Sequence, residues 1–364
     1  MGNRPVLLSI ALAVLLATTL PAICLAAADT DAALAYLQTQ QNPDGGFGSG
    51  FSPDSSLGST ADAVLAIVAV GGDPSVFEQD GNTPTDYLAD NAAAEAIGGD
   101  VAKLILALVT LGEDPTTFGG VDSVARLESM ISDDGKIGVD VDTLVGHSLA
   151  ILALKSVQQP IPEVAVSYVS ASQQENGAWA WDGTASTPGD TNTTAFAVQA
   201  LIAAGADPGD DAVTRALAYF EGIQNEDGGW PYQNPSAYGT DTDANSTAVT
   251  IQAIIAAGQD PDGADWVAAE GSAPLAALES LQNDSGAFAW QAAVPDDNLL
   301  ATVQALPAIA GKAFPFATTT VDKPAEAGPA TVGKTGGAGL NLSVVLLVGG
   351  VIVAAGGYVL SRKR

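Results

Sequence analysis

The sequence has 364 residues and combines 47% apolar residues with only 15% charged ones, a composition that can bury a sizeable core and excludes wholesale disorder. Twelve Lys and Arg against 42 Asp and Glu give a formal net charge of −30, which argues against a nucleic-acid-binding surface built from basic clusters. One His and one Cys are too few for a zinc site of the common kinds or an internal disulfide.

The first residues have the pattern of a secretory signal. Arg4 precedes an apolar run over 6–20, and small residues follow at 26–28. A charged start, a short apolar stretch and small residues at the cleavage site are the marks of such a signal. We therefore predict that residues 1–28 are a signal peptide whose removal takes away Cys24. Attachment of a lipid to Cys24 is the alternative, which the residues just before it do not favour.

A seven-residue motif recurs along the chain. It reads Gln-Asn-Pro-Asp-Gly-Gly-Phe at 41–47 and Gln-Asn-Glu-Asp-Gly-Gly-Trp at 224–230, with looser copies at 131–137, 173–179 and 282–288. The first two copies in chain order lie about twice as far apart as the others, so one unit between them has lost its motif. The spacing predicts six units of about fifty residues each.

Each unit is predicted to be a pair of helices. Apolar residues seven and four positions before each motif, as at Leu34 and Leu37, indicate an amphipathic helix that the Asp-Gly-Gly turn ends. The helix after the motif, as at 194–201 and 247–254, has no charged face and should be buried on nearly all sides. Six such pairs predict an inner ring of apolar helices inside an outer ring of amphipathic ones, without strands. An open solenoid is the competing geometry.

The predicted folded domain spans residues 29–312, and a membrane attachment follows it. Residues 313–339 are rich in Pro, Thr and Gly and predict a flexible linker. Residues 340–361 are apolar and long enough to cross a bilayer, and the basic residues 362–364 predict a cytoplasmic tail. The protein is thus expected to be secreted across the membrane and anchored at the cell surface by a C-terminal transmembrane helix. Cleavage of the C-terminus followed by its attachment to a cell wall is the open alternative.

The turn motif, together with an Asp-x-x-x-Thr-Ala sequence that opens the next helix at 190–195 and 243–248, resembles the prenyltransferase and squalene-cyclase repeat. The resemblance covers nearly all of residues 30–312. It implies an all-α fold, the α/α toroid of six helix pairs, and is closest in kind to secreted bacterial repeat proteins and cobalamin-carrier toroids. Terpenoid cyclases, protein prenyltransferase β subunits and complement thioester domains share this toroid, so the fold alone does not assign a function.

The catalytic signatures of these families are incomplete in this sequence. The cyclase acid cluster, Asp-x-Asp-Asp-Thr-Ala, aligns with 243–248, where Asn245 and Ser246 replace the second and third acids. An amide or a hydroxyl cannot supply the proton that such a cyclase gives to its alkene. Zinc-dependent prenyl transfer uses Asp, Cys and His ligands, and the mature chain has no Cys. We therefore expect no catalytic residue, no metal and no cofactor, and a structural role for His147.

The candidate ligand-binding groups are the aromatic residues just after the motif and the polar residues that open the buried helices. Helix capping is the alternative for the polar residues, and packing between units is the alternative for the aromatic residue of the motif itself. Because all buried helices should start at the same end of the ring, the candidate side chains would converge at one mouth. They are Trp181, Tyr232, Trp290, Asp190, Asn192, Asp243 and Asn245.

The expected function is binding without catalysis. The ligand would be a small or extended molecule, corrinoid-, isoprenoid- or glycan-like, held in the mouth of the toroid, or a partner protein on its rim. A divergent terpenoid cyclase with a rearranged acid is one alternative. A structural surface spacer is another, and it predicts a lumen filled by the side chains of the protein itself.

Overall fold

The computed structural model describes residues 27–94, 96–138, 143–237, 239–269 and 271–321. The predicted signal peptide before residue 27, the predicted linker from residue 322 onward, the transmembrane anchor 340–361 and the tail 362–364 lie outside these ranges. Within them, no helix is long and apolar enough to span a bilayer.

Twelve α-helices in the described ranges alternate between an outer and an inner layer. The outer helices are α1 (Thr30–Gln40), α3 (Pro84–Asn91), α5 (Ser123–Glu128), α7 (Glu163–Ala171), α9 (Asp211–Ile223) and α11 (Pro274–Glu279). The inner helices are α2 (Leu57–Ala69), α4 (Gly98–Leu111), α6 (Leu144–Ser156), α8 (Thr191–Ala203), α10 (Ala244–Ala256) and α12 (Leu299–Ile309).

The inner helices form a closed ring. Each packs on the next in chain order, and α12 returns to pack on α2. Side chains join the two ends of the chain at this seam: Gln282 donates from Nε2 to the Asp29 carbonyl at 2.8 Å, and its Oε1 accepts from the Asp29 N–H at 2.7 Å. The predicted double ring is confirmed, and the open solenoid is excluded.

The turn motif holds neighbouring units together. In four copies, the first residue donates both to a carbonyl of its own turn and to the next unit, as Gln173 does to Gly177 and Ala212 and as Gln224 does to Gly228 and Trp266, at 2.8–2.9 Å. A glycine is required in each turn for two reasons. Gly228 has a φ of +91°, and a Cβ there would overlap the backbone carbonyls of Ser272 and Ala273 in the next unit.

The aromatic residue of the motif is part of the core. Trp179 and Trp230 are fully buried. Their Nε1–H groups donate to the Val169 and Phe220 carbonyls of the preceding outer helices, at 2.7 and 2.9 Å. A buried indole that satisfies its only donor in this way stabilises the unit by packing. The packing interpretation of these residues is confirmed.

The unit that lacks a motif and the segment after the last motif each have a local structure of their own. The unit without a motif joins α3 to α4 through residues 92–97, and Ile97 precedes α4 without a side-chain cap. The prediction of no strands is wrong after the last motif, where β1 (Phe288–Gln291) pairs antiparallel with β2 (Val294–Asn298). Asn298 ends β2 and also caps α12, so the hairpin is the return path that brings the chain from the motif to its inner helix.

His147 has the structural role that was expected. The backbone N–H of each motif's last residue is bound by an acceptor on the following inner helix. For Ile137 this acceptor is His147 Nδ1 at 3.0 Å, and the opposite ring nitrogen donates to the Ala165 carbonyl at 3.0 Å. The ring is therefore neutral, with its proton on Nε2. In four other units a threonine Oγ1 is the acceptor, at Thr60, Thr194, Thr247 and Thr302.

This comparison predicts how substitutions at His147 rank. His147→Leu removes both hydrogen bonds and leaves buried backbone groups unpaired, which should lower the free energy of unfolding by about 2 kcal/mol. His147→Thr keeps an acceptor for the Ile137 N–H, as in the other units, and should recover about half of that loss. Urea unfolding followed by circular dichroism measures both. Equal destabilisation by the two variants would show that the Ile137 bond contributes nothing.

The folded part continues past the predicted boundary at residue 312. The linker prediction is wrong for residues 313–321, which lie against the ring. The ring of Phe314 stacks on Phe196 of α8 with centroids 6.4 Å apart, and the Thr319 N–H donates to the Ser156 carbonyl at the end of α6 at 2.7 Å. The Pro- and Thr-rich composition indicated a free chain, but the aromatic side chains within it have apolar surface to bury.

Candidate functional site

The six inner helices enclose a lumen, whose upper end is defined here as the end where these helices begin. The motif turns lead into the helix starts, so they lie at the upper end. We infer that the side chains six positions after the first capping residues of the inner helices face the ring axis, since they share one position of the helical repeat in all six helices. These are Asp62, Lys103, Leu149, Phe196, Val249 and Gln304. Four of the six are only partly buried, although the helices around them are buried on nearly every other side.

An ion pair spans two neighbouring helices at this level. Lys103 Nζ of α4 lies 2.6 Å from Asp62 Oδ2 of α2, and the two side chains keep 26% and 22% exposure. Burial raises the pKa of the Asp62 carboxyl, and the charge and hydrogen bond of Lys103 oppose that shift. Burial lowers the pKa of Lys103, but the carboxylates of Asp62 and Asp100 outweigh it and raise that pKa overall. The lumen thus contains a charged pair that solvent still reaches.

Amide side chains add further hydrogen-bonding groups on the inner helices. Asn245 of α10 donates from Nδ2 to Gln304 Oε1 of α12 at 2.8 Å. On the inner helices, as far as the structure describes them, three further buried amide atoms have no hydrogen-bond partner: Asn192 Oδ1, Gln199 Nε2 and Gln252 Oε1. Buried polar atoms are nearly always partnered in folded proteins. Free donors and acceptors on the inner helices therefore mark a place that can hydrogen-bond a molecule other than the chain itself.

The predicted acids Asp190 and Asp243 are helix caps. Asp190 accepts from the N–H and hydroxyl of Thr193 at 2.7 and 2.8 Å, and Asp243 accepts in the same way from Ser246 at 2.7 and 2.9 Å. Both carboxyls are fully or almost fully buried. Burial raises the pKa of Asp190 to about 6 and that of Asp243 to about 7, and the capping bonds oppose the shift. The capping interpretation is confirmed for both.

Tyr232 connects the two caps. Its phenol hydrogen-bonds the Asp190 carboxyl, and its backbone N–H lies against Asp243. Its carbonyl accepts from the Thr191 N–H at 2.9 Å. Burial, and then the charge of Asp190, raises the pKa of the phenol. The structure therefore brings Asp190, Tyr232 and Asp243 together at the upper end of the lumen as one structural cluster.

The other predicted aromatic residues lie apart from this cluster. Trp181 is 41% exposed in the loop that leads to Asp190, and its carbonyl accepts from the N–H of Leu144 at 2.8 Å. Trp290 is half-buried on β1. In the described part of the chain, neither ring stacks on another aromatic ring. The structure therefore brings together only some of the residues that were predicted to form the mouth.

Asn192 and Asn245 both stand two positions after the caps of their helices; Asn192 is partly buried, and Asn245 is buried and bonded to Gln304. Sequence reasoning missed Asp62 and Lys103, the charged pair of the inner ring. The signal was present in the sequence, because each is a charged residue inside an otherwise apolar inner helix. The described residues contain no group of three His, Cys, Asp or Glu side chains arranged to hold a metal ion.

Two family models match parts of the chain. The squalene-hopene cyclase C-terminal domain matches residues 124–292, and the prenyltransferase alpha-alpha toroid domain matches residues 4–96. No curated protein matches the sequence significantly.

Solved structures share the fold at low sequence identity. The type II terpene cyclase MstE from Scytonema is 14% identical, with 77% of this chain and 95% of that one covered and a TM-score of 0.53. A variant of the same cyclase bound to its substrate, geranylgeranyl dihydroxybenzoate, gives 13% identity, the same coverage and a TM-score of 0.56. A protein from Actinoplanes is 15% identical over 77% of this chain and 97% of that one, with a TM-score of 0.55. The chain is built from prenyltransferase and squalene-cyclase repeats folded as an α/α toroid.

Proposed function

We propose that the toroid is a non-catalytic binding domain that holds a small amphipathic ligand in its lumen. The observation that carries the proposal is the partly exposed ion pair between Asp62 and Lys103, at the level where side chains meet the ring axis. Its two charges and the free amides of Asn192 and Gln252 would bind polar groups of the ligand. The apolar side chains at the same level, Phe196 among them, would contact the rest.

The ion pair favours this proposal over a structural spacer. A pair of charges inside a protein contributes little net stability, since the cost of removing both from water offsets their attraction. A spacer would be as stable, or more so, with apolar residues at both positions. Retention of a solvent-accessible pair among apolar helices is therefore better explained by a ligand that uses it.

The arrangement of acids favours binding over cyclase chemistry. A cyclase-type acid must present a protonated carboxyl to its substrate. In both Asp190 and Asp243, the two carboxyl oxygens accept the hydrogen bonds that cap the helix. Asn245 stands where the proton donor of a cyclase motif is expected, and Asp62 is paired with an ammonium group. Each of these groups supports a domain that binds without reacting.

The proposed setting is the outside of a membrane, with the toroid held at the cell surface by the C-terminal segment. The strongly negative net charge suits a domain that stays soluble there. The test is therefore made on protein purified from the envelope of its native cell, and recovery from the soluble cell interior instead would contradict this localisation.

The proposal predicts the effect of removing the ion pair. The double variant Asp62→Leu with Lys103→Met removes both charges at similar volume, so it should fold with equal or higher stability. In a native mass spectrum, wild-type protein should carry a discrete extra mass that disappears on denaturation, and the double variant should lack it.

The matched control is Asp211→Asn, which breaks the exposed ion pair between Asp211 and Arg215 on α9. It should keep the extra mass. A bare polypeptide mass for the wild type, or equal ligand occupancy in the double variant, would contradict the proposal.

A further inference from the structure

The C-terminal segment crosses the full width of the ring at its lower end, where the inner helices end. It leaves α12 after Ile309 and reaches α6, the helix opposite α12 in the ring. There, in addition to the bond from Thr319, the Gln159 side chain donates to the Val321 carbonyl at 3.4 Å. Residues 313–317 lie between these two ends and are called the plug below.

Aromatic stacking holds the plug in the lumen. The rings of Phe316 and Phe314 are stacked with centroids 4.3 Å apart and planes 11° apart, and Phe314 continues the stack onto Phe196. One hydrogen bond runs from the Phe314 N–H to Gln199 Oε1 at 3.0 Å. Both plug rings stay half-buried, unlike the fully buried tryptophans of the motif. The plug thus fills its space less completely than a core residue does.

The wall around the plug has hydrogen-bonding capacity that the plug does not use. Gln199 and Gln252 occupy the same level on the neighbouring helices α8 and α10 and are almost fully buried. Gln199 Nε2 is a free donor and Gln252 Oε1 is a free acceptor. Together with the face of Phe196, these two amides form a surface for a flat apolar group that bears a small polar substituent. The plug uses only part of the hydrogen-bonding capacity of this surface.

We propose that the lower lumen is a second binding site, for a flat apolar group, and that residues 313–317 occupy it as an exchangeable intramolecular competitor. This site shares the face of Phe196 and the Gln252 amide with the ion-pair site proposed above, but it does not use the charges of Asp62 and Lys103. With an internal competitor, the apparent affinity of a ligand is its intrinsic affinity multiplied by the fraction of molecules in which the site is free. Removal of the plug rings should therefore tighten binding.

The test uses the full chain and the neutral, flat fluorescent probe N-phenyl-1-naphthylamine. The double variant Phe314→Ala with Phe316→Ala should bind the probe about tenfold more tightly than wild type, on the expectation that the plug is docked in roughly nine of ten molecules. A synthetic peptide of residues 311–321 should displace the probe from the variant. Phe51→Ala, at an exposed phenylalanine before α2, is the control and should bind as wild type does.

A second measurement covers the case in which the double variant does not fold. In wild-type protein, saturating probe should speed hydrogen exchange at the amides of Phe314 and Thr319, since these bonds open when the plug leaves. Unchanged exchange, unchanged probe affinity in a folded double variant, or failure of the peptide to compete would each overturn the proposal. The variant Asp62→Leu with Lys103→Met should give the wild-type result, which separates this site from the one proposed above.

Discussion

Replacing Gly286 with alanine is expected to lower the free energy of unfolding by about 3 kcal/mol or more, among the largest effects of any single substitution in the ring. Gly286 has a φ of +87°, which a side chain disfavours, and a Cβ there would overlap the backbone carbon and carbonyl oxygen of Ala32 in α1. This contact lies at the seam between the last and the first unit. The substitution should therefore open the ring as well as strain the turn.

A glycine with the same backbone strain and open space separates these two causes. Gly258 has a φ of +75° and no atom within 4 Å of an added Cβ. Gly258→Ala should cost only about 1 kcal/mol, the usual penalty for this conformation. Thermal unfolding by calorimetry measures both variants, and limited proteolysis after residue 29 reports on the seam. Equal losses in the two variants, with no added cleavage near the seam, would contradict the closed ring.

Replacing Asp243 with asparagine is expected to stabilise the protein at pH 8 and to flatten the dependence of its stability on pH. Burial raises the pKa of Asp243 to about 7 in the folded protein, against an ordinary value near 3.9. Between these two values the folded state binds the additional proton, so the free energy of unfolding falls as pH rises through that window. The pKa difference corresponds to about 4 kcal/mol as an upper bound.

Asparagine removes this loss because it stays neutral while still capping the helix well. Relative to wild type, Asp243→Asn should gain stability progressively from pH 4 to pH 8. Asp122→Asn is the matched control, since Asp122 caps α5 through the same kind of bond to Ala125 but is only partly buried. Urea denaturation across this pH range measures all three proteins. A constant difference between Asp243→Asn and wild type at every pH would contradict a buried, proton-binding carboxyl.

The ring could be predicted from the sequence because its determinants are local and repeated. The glycine in each turn, the Gln that clamps the turn to the next unit and the apolar residues before it recur at fixed offsets. Gly228 and Gln224 illustrate this, since both are needed for contacts that any neighbouring unit would make. Capping by Asp190 and Asp243 was foreseeable for the same reason, because the preference belongs to the helix start itself.

The lumen could not be predicted in the same way. Asp62 and Lys103 lie 41 residues apart, and their pairing depends on the rotation of α2 and α4 about their own axes, which is set by packing around the whole ring. The plug was missed for another reason. The composition of the segment around Phe314 indicated a linker. Only the closed ring of helices supplies the cavity in which burial of its aromatic side chains is favourable.

The most direct test of a ligand site in the lumen is an experimental density map of the full chain purified from its native envelope. We expect non-protein density in hydrogen-bonding contact with Lys103 Nζ or the Asp62 carboxylate, extending along the face of Phe196. A map in which the ring's own side chains close over the ion pair and fill the space at that level would contradict a binding function and identify the toroid as a structural spacer.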